Sequence, residues 1–212
     1  MRNVVLMFGI QGSGKGTQAE RIKEKYNFTD ITVGNLLREK AKTDKRIRDI
    51  QKSGKLVPDA DVEKVIEEKI ETLNESEGIL FDGFPRSASQ LEIYKKLAKK
   101  YDFRAKAISI DISEDEALKR ISTRYVCPKC GYIAIGKGKC PCGGELVKRE
   151  DDTDEAGVRQ RIGIFKRDTK PTLDYFEGKG ELIRIDGMGT MDEVTARILK
   201  SVQDFYKVLA KV

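Results

Sequence analysis

The chain has 212 residues, enough for one sizeable α/β core with insertions. Charged residues make up 36% and hydrophobic ones 39%, and no apolar stretch approaches the ~20 residues that span a bilayer. No basic n-region, apolar h-region and cleavage site open the sequence, so a soluble cytoplasmic protein is expected. A monomer is a separate expectation.

The formal net charge is +6, which favours anionic partners such as nucleotides, nucleic acid or anionic lipid. The charge is spread along the chain. Lys95-Lys96 and Lys99-Lys100 read as one solvated helix face, not a nucleic-acid stripe. There is no histidine, which removes Ser–His, Cys–His and His–metal mechanisms together. Phosphoryl transfer between nucleotides survives that loss. The attacking phosphate oxygen is already ionised, and positioning plus charge stabilisation carry the reaction.

The apolar run Val4–Phe8 lacks alternation and reads as a strand buried on both faces. It leads into Gly9-Ile10-Gln11-Gly12-Ser13-Gly14-Lys15-Gly16-Thr17, then helical sequence to about Tyr26. A glycine loop opening a helix aims backbone N–H groups and the positive helix end at one point, and Lys15 adds a full charge. The spacing is that of a phosphate-binding P-loop, whose expected ATP contacts are Gly12, Ser13, Gly14, Lys15, Gly16 and Thr17. The Ser or Thr that usually follows the lysine is here Gly16, with Thr17 one place later.

Further along, Asp30–Val33 reads as a second strand. Residues 34 to about 73 read as charged helices broken at Ser53-Gly54 and Pro58. Ile79–Asp82 is a third strand, Ser87–Lys100 a helix and Ala105–Ile112 a fourth strand. Ser113-Glu114-Asp115-Glu116 caps another helix. Helix is expected again from Asp154 to Thr169. A fifth strand follows at Glu181–Asp186, and a last helix from Met191 to about Leu209. Strands alternating with helices imply a five-stranded parallel sheet with helices on both faces. Two segments break the rhythm. The expected division is a core at 1–31, 62–124 and 156–212, a helical insertion at 32–61 and a small β insertion at 125–155.

Residues 125–155 hold Cys127-Pro128-Lys129-Cys130 and Cys140-Pro141-Cys142-Gly143. Two close thiolate pairs suit tetrahedral Zn²⁺, and Cys127 to Gly131 has the sequence of a zinc knuckle. The Cys-x-Cys spacing of the second pair is tighter than usual. Disulfides and free thiols are the alternatives. Four cysteine ligands would leave no open coordination position, so the metal would be structural.

The Gly-Lys-Gly-Thr ending of the loop resembles nucleoside monophosphate kinases, adenylate kinases above all, and further blocks extend the likeness over nearly the whole chain. They are Gly34–Arg38, Gly54–Val57, Asp82-Gly83-Phe84-Pro85-Arg86, the pair Arg120 and Arg124, and Arg149 with Asp151-Asp152, Arg159 and Arg161. The resemblance implies transfer of the terminal phosphoryl group of MgATP to AMP, giving two ADP. It also implies roles. Arg38 and Arg86 would hold the AMP phosphate, and Asp82 the Mg²⁺ shell through water. Gln90 would read the adenine edge, with Thr32, Lys55, Val57 and Gly83 around the AMP. Arg120 and Arg124 would face the ATP base and phosphates, and Arg149 and Arg161 would complete the catalytic cations with Lys15, Arg86 and Arg124. The insertion at 125–155 would be a lid, which some bacterial-type members staple with zinc at wider spacing.

Three positions depart from the family pattern: Gln11 for proline, Val33 for threonine and Asn35 for aspartate. The segment before Arg161 is one residue longer, which leaves Arg159 as a rival for its role. Another acceptor base, UMP or CMP, is the competing enzyme reading. A zinc-ribbon nucleic-acid-binding ATPase is the rival from another class. It lacks a clustered basic stripe and has only Tyr125 and Tyr132 near the cysteines.

Overall fold

A computed structural model describes residues 1–52, 57–148 and 152–206. In chain order the elements are β1 (Arg2–Phe8), α1 (Lys15–Lys25), β2 (Phe28–Ile31), α2 (Val33–Thr43), α3 (Lys45–Lys52) and α4 (Asp59–Glu71). Then come β3 (Gly78–Asp82), α5 (Ala88–Lys100), β4 (Phe103–Asp111), α6 (Glu114–Thr123), β5 (Arg124–Val126) and β6 (Ile133–Ile135). The chain continues through α7 (Glu155–Asp168), α8 (Lys170–Gly178), β7 (Leu182–Asp186) and α9 (Met191–Tyr206).

Five strands form one parallel sheet in the order β2-β3-β1-β4-β7. Their side chains alternate between two cores. Val4, Leu6, Phe8, Ile79, Phe81, Ala105 and Ala107 join Phe84, Leu97 and Phe176 on one face. Val5, Met7, Leu80, Ile108 and Ile110 join Ala19 and Ile22 of α1 and Val194, Ile198 and Val202 of α9 on the other. Burial on both faces explains why the strands read as unbroken apolar runs. Each fully buried Phe, Ile or Leu contributes about 1.5–3 kcal/mol of transfer free energy, so this sheet holds the site's residues in register.

The chain leaves β1 in one direction to build β2 and β3, and later returns to place β4 and β7 on the other side. The C-terminal edge of β1 is therefore the point where the strand order reverses, the usual ligand crevice of an open parallel sheet. The glycine loop lies there.

Several elements differ from the sequence expectation: a break at Asp44 separates α2 from α3, and β4 begins two residues early at Phe103. The second strand lies at Phe28–Ile31, because Val33 already begins α2 with Thr32 as its cap residue. The helix α8 follows α7 directly. Pro171 sits in its first turn, where a missing N–H costs nothing. The last helix is described to Tyr206, and the expected end at Leu209 lies outside the described residues.

Residues 124–135 form an antiparallel pair, β5 with β6, and Val126 also bridges Val147. Its small core consists of Cys127, Cys140 and Leu146, with Tyr125 and Ala134 against them.

Candidate active site and metal centre

The loop after β1 folds tightly on the protein at one end and opens at the other. Gly12 has φ +87°, and a Cβ there would lie 2.9 Å from the Ala117 carbonyl of α6. Gly14 has φ +92°, caps α1, and would meet nothing within 4 Å. The open side is where N–H groups at the start of α1 face outward. No acidic residue occupies that first turn, so the helix end keeps its positive field. Ser13 is buried and donates its backbone N–H to the Ile10 carbonyl at 3.0 Å. Gly16 is exposed and Thr17 half-buried.

The first residue of α1, Lys15, pairs its ammonium with the Asp82 carboxylate. Register explains the meeting: Asp82 ends β3 directly beside Met7 of β1, and both side chains are 21% exposed. Gly83 donates its N–H to the Met7 carbonyl at 3.2 Å, which continues the pairing past the strand. The exposed Arg86 bonds its Nε to the Gly83 carbonyl. Its backbone N–H donates to Gln90 Oε1 at 2.9 Å, while Ser87 caps the same helix by accepting from the Gln90 N–H. Gln90 thus has a structural task at the start of α5.

Just past β2, the neighbour of β3, Thr32 donates its hydroxyl to Asp30 at 2.9 Å. Arg38, exposed on α2, pairs with Asn35 one turn earlier. Val57 packs on the larger core. Lys55 and Arg149 lie outside the described residues, as do Gly54 and Asp151.

Arg120 on α6 donates to Glu116 at 2.7 Å and to the Gly187 carbonyl at 3.0 Å, with the Met188 sulfur beside it. Its guanidinium therefore faces the exit of β7. Arg124 holds Asp152 in a two-bond fork at 2.8 and 2.7 Å. The candidates on α7 separate clearly. Arg159 is 52% exposed in a surface pair with Glu155, whereas the half-buried Arg161 bonds the Gly157 carbonyl at 3.2 Å.

Sequence reading did not single out Gln18 and Asp30. Gln18 is buried and ties α1 to α9 through the Met191 carbonyl and Thr195. Asp30 has a buried Oδ1 with no hydrogen-bond partner, and burial raises its pKa above the usual carboxylate range. Neither belongs to a sequence motif, and only tertiary packing exposes them.

The four cysteines converge, with every sulfur within 4.8 Å of the others. Neighbouring sulfurs stand 3.6, 3.4 and 3.3 Å apart and the thiols are free. Tetrahedral zinc with Zn–S bonds of about 2.3 Å sets sulfurs about 3.8 Å apart, so the donor set fits a zinc ion. Two glycine turns, Gly131 and Gly143 at φ +75°, fold each pair inward. A Cβ on Gly144 would sit 2.6 Å from the Cys127 sulfur. Burial works to raise the Cys127 thiol, but the backbone N–H groups of Cys130 and Lys129, together with hydrogen bonds from the Cys140 and Cys142 thiols, lower it to about 7.

No helix among the described residues is long and apolar enough to cross a membrane. A family model described as adenylate kinase matches residues 7–181. An adenylate kinase of Dehalococcoides mccartyi is 36% identical over 215 residues, covering 96% of this chain and 99% of that protein. One of Thermosipho melanesiensis is 35% identical, covering 94% and 99%. One of Archaeoglobus fulgidus is 35% identical, covering 92% and 95%.

Proposed function

The chain belongs to the adenylate kinase family, and from that premise we propose that it transfers the terminal phosphoryl group of MgATP to AMP, giving two ADP. The observation that carries the reading is the Lys15–Asp82 pair at the reversal point of a parallel sheet, with an open, glycine-capped helix end beside it.

In this reading the loop from Gly12 to Thr17 cradles the ATP phosphates through backbone N–H groups. Lys15 leaves Asp82 for the transferring phosphoryl group. Transfer between two nucleotides crowds several negative charges into one cleft, and catalysis there is mainly their stabilisation. Guanidinium suits that task, because its planar fork matches phosphate oxygens in pairs. Arg38 and Arg86 approach the AMP phosphate from α2 and from the loop after β3. Arg124 serves the ATP phosphates, and Arg161 rather than the surface-paired Arg159 serves the cleft. Arg120 faces the adenine of ATP, beside Gly187 and Met188. Thr32, Val57, Gly83 and Gln90 line the AMP side, with Lys55 and Arg149 assigned from the sequence alone.

Asp82 would hold Mg²⁺ through its water shell, since its ion pair with Lys15 uses Oδ1. The metal would neutralise and orient the phosphates. Cys127, Cys130, Cys140 and Cys142 would hold one zinc that shapes the lid. The helical segment 32–61 would close over AMP and segment 125–155 over ATP, on a core formed by the rest. Closure excludes water, which competes with AMP for the phosphoryl group.

Initial rates of ADP formation from MgATP with AMP, UMP, CMP and GMP as acceptors test the reading. AMP is expected to be used far better than the others. Equal use of UMP or CMP, or ATP hydrolysis independent of any acceptor, would refute it.

A further inference from the structure

Asp152 is a carboxylate with no exposed side-chain surface, at the exit of the lid segment. It faces two different parts of the site. Arg124 grips it from the lid's entry strand, Nε to Oδ2 at 2.8 Å and Nη2 to Oδ1 at 2.7 Å. Gln11 reaches it from inside the phosphate loop, donating Nε2 to the same Oδ1 at 2.9 Å. We propose that Gln11 is a positioning residue: it fixes the Arg124 guanidinium relative to the phosphate loop through the shared carboxylate of Asp152.

The chemistry of the three groups carries this. An arginine that offers Nε and one Nη2 hydrogen to a carboxylate keeps three donors on its outer end, both hydrogens of Nη1 and the other of Nη2. Those are the donors a phosphate can take. Where they point is set by the plane of the fork, and that plane is set by Asp152. Arg124, on the lid's entry strand, gives the carboxylate no tie to the phosphate loop. The bond from Gln11 ties it to the loop in which the ATP phosphates would lie. A neutral amide donating to a charged, buried acceptor makes one of the stronger hydrogen bonds, and its loss leaves that oxygen short of a donor. The side-chain amide at position 11 is what permits this. The proline usual at this place in the resemblance has no donor, so glutamine here adds a contact.

The proposal rests on Arg124 serving the ATP phosphates, and its test separates the two ideas. Gln11→Met keeps the length of the side chain and removes the donor. In the intact protein its kcat should fall about tenfold and its KM for MgATP should rise, with KM for AMP unchanged and the melting temperature lower by only a few degrees. In an Arg124→Ala background the same substitution should change kcat by less than about twofold, because nothing remains to be positioned. Equal losses in both backgrounds, or a matching rise in KM for AMP, would overturn the proposal. So would unaltered kinetics. A second readout needs no turnover. The ¹⁵N resonance of Arg124 Nε–H should shift in Gln11→Met, and an unchanged resonance would overturn the proposal even if the parent transferred no phosphoryl group.

Discussion

The ammonium of Lys15 pairs with Asp82 across the ends of β1 and β3, so a phosphate entering the loop competes with a carboxylate already in place. Both groups are shielded enough for charge to matter. Removing one preorganised charge contact from a transition state costs about 3–4 kcal/mol, or ~10²–10³ in rate. Lys15→Ala should therefore lower kcat by that factor and leave the circular dichroism spectrum unaltered. Turnover within about threefold of the parent would take Lys15 out of the mechanism. Asp30 offers a stability test at the same scale. Burial raises its pKa, while the Thr32 hydroxyl and Lys23 oppose the rise and Asp82 and Glu20 add to it. A carboxyl whose folded pKa lies above its unfolded value binds more protons when folded. Its contribution to stability is present below the unfolded pKa and lost as pH climbs through the folded one. Asp30→Asn should thus raise the melting temperature at pH 7 and not at pH 3. A variant less stable at pH 7 would mean that the charged form is favoured there.

The β5–β6 hairpin has an apolar core too small to hold it. Three buried residues, two of them cysteines, make up its core. Structural zinc binding is itself folding energy, so four thiolate bonds can take the place of the missing core. Chelation, or Cys142→Ser, should lower the temperature at which the lid loses protection from hydrogen exchange. Turnover at low temperature should persist, because Lys15, Arg86 and Asp82 lie outside the hairpin and Arg124, at its first residue, is held by Asp152 and not by the cysteines. Metal analysis well below one equivalent, or turnover lost on chelation while the protein stays folded, would count against a structural metal. Elements also show where the sequence is readable. Val4–Phe8 and Ile79–Asp82 are strands as their apolar runs predict, because both faces of the sheet are covered. The second strand shifted by two residues, because Thr32 and Val33 have strand propensity yet serve the start of α2. The helix α8 was hidden by Pro171, which breaks a helix in its interior and starts one at its first turn.

At the scale of the molecule, the sheet order β2-β3-β1-β4-β7 brings residues far apart in sequence to the two sides of one crevice. The strand–loop–helix unit from Val4 to Lys25 was legible, because a buried apolar run ending in a glycine loop and a helix has a recognisable spacing. The links between motifs were not, since Gln11 and Asp152 stand 141 positions apart and nothing in either neighbourhood names the other. The rivalry of Arg159 and Arg161 shows the same limit. Burial and partners distinguish them, and spacing does not. The central claim is that one phosphoryl group passes directly from ATP to AMP inside this crevice, shielded from water. The most direct measurement follows ATP labelled at its γ-phosphorus, mixed with unlabelled AMP, Mg²⁺ and the protein. The label should appear at the β-position of ADP, with two ADP formed for each ATP consumed. Label released as inorganic phosphate at a rate that ignores AMP would contradict the account.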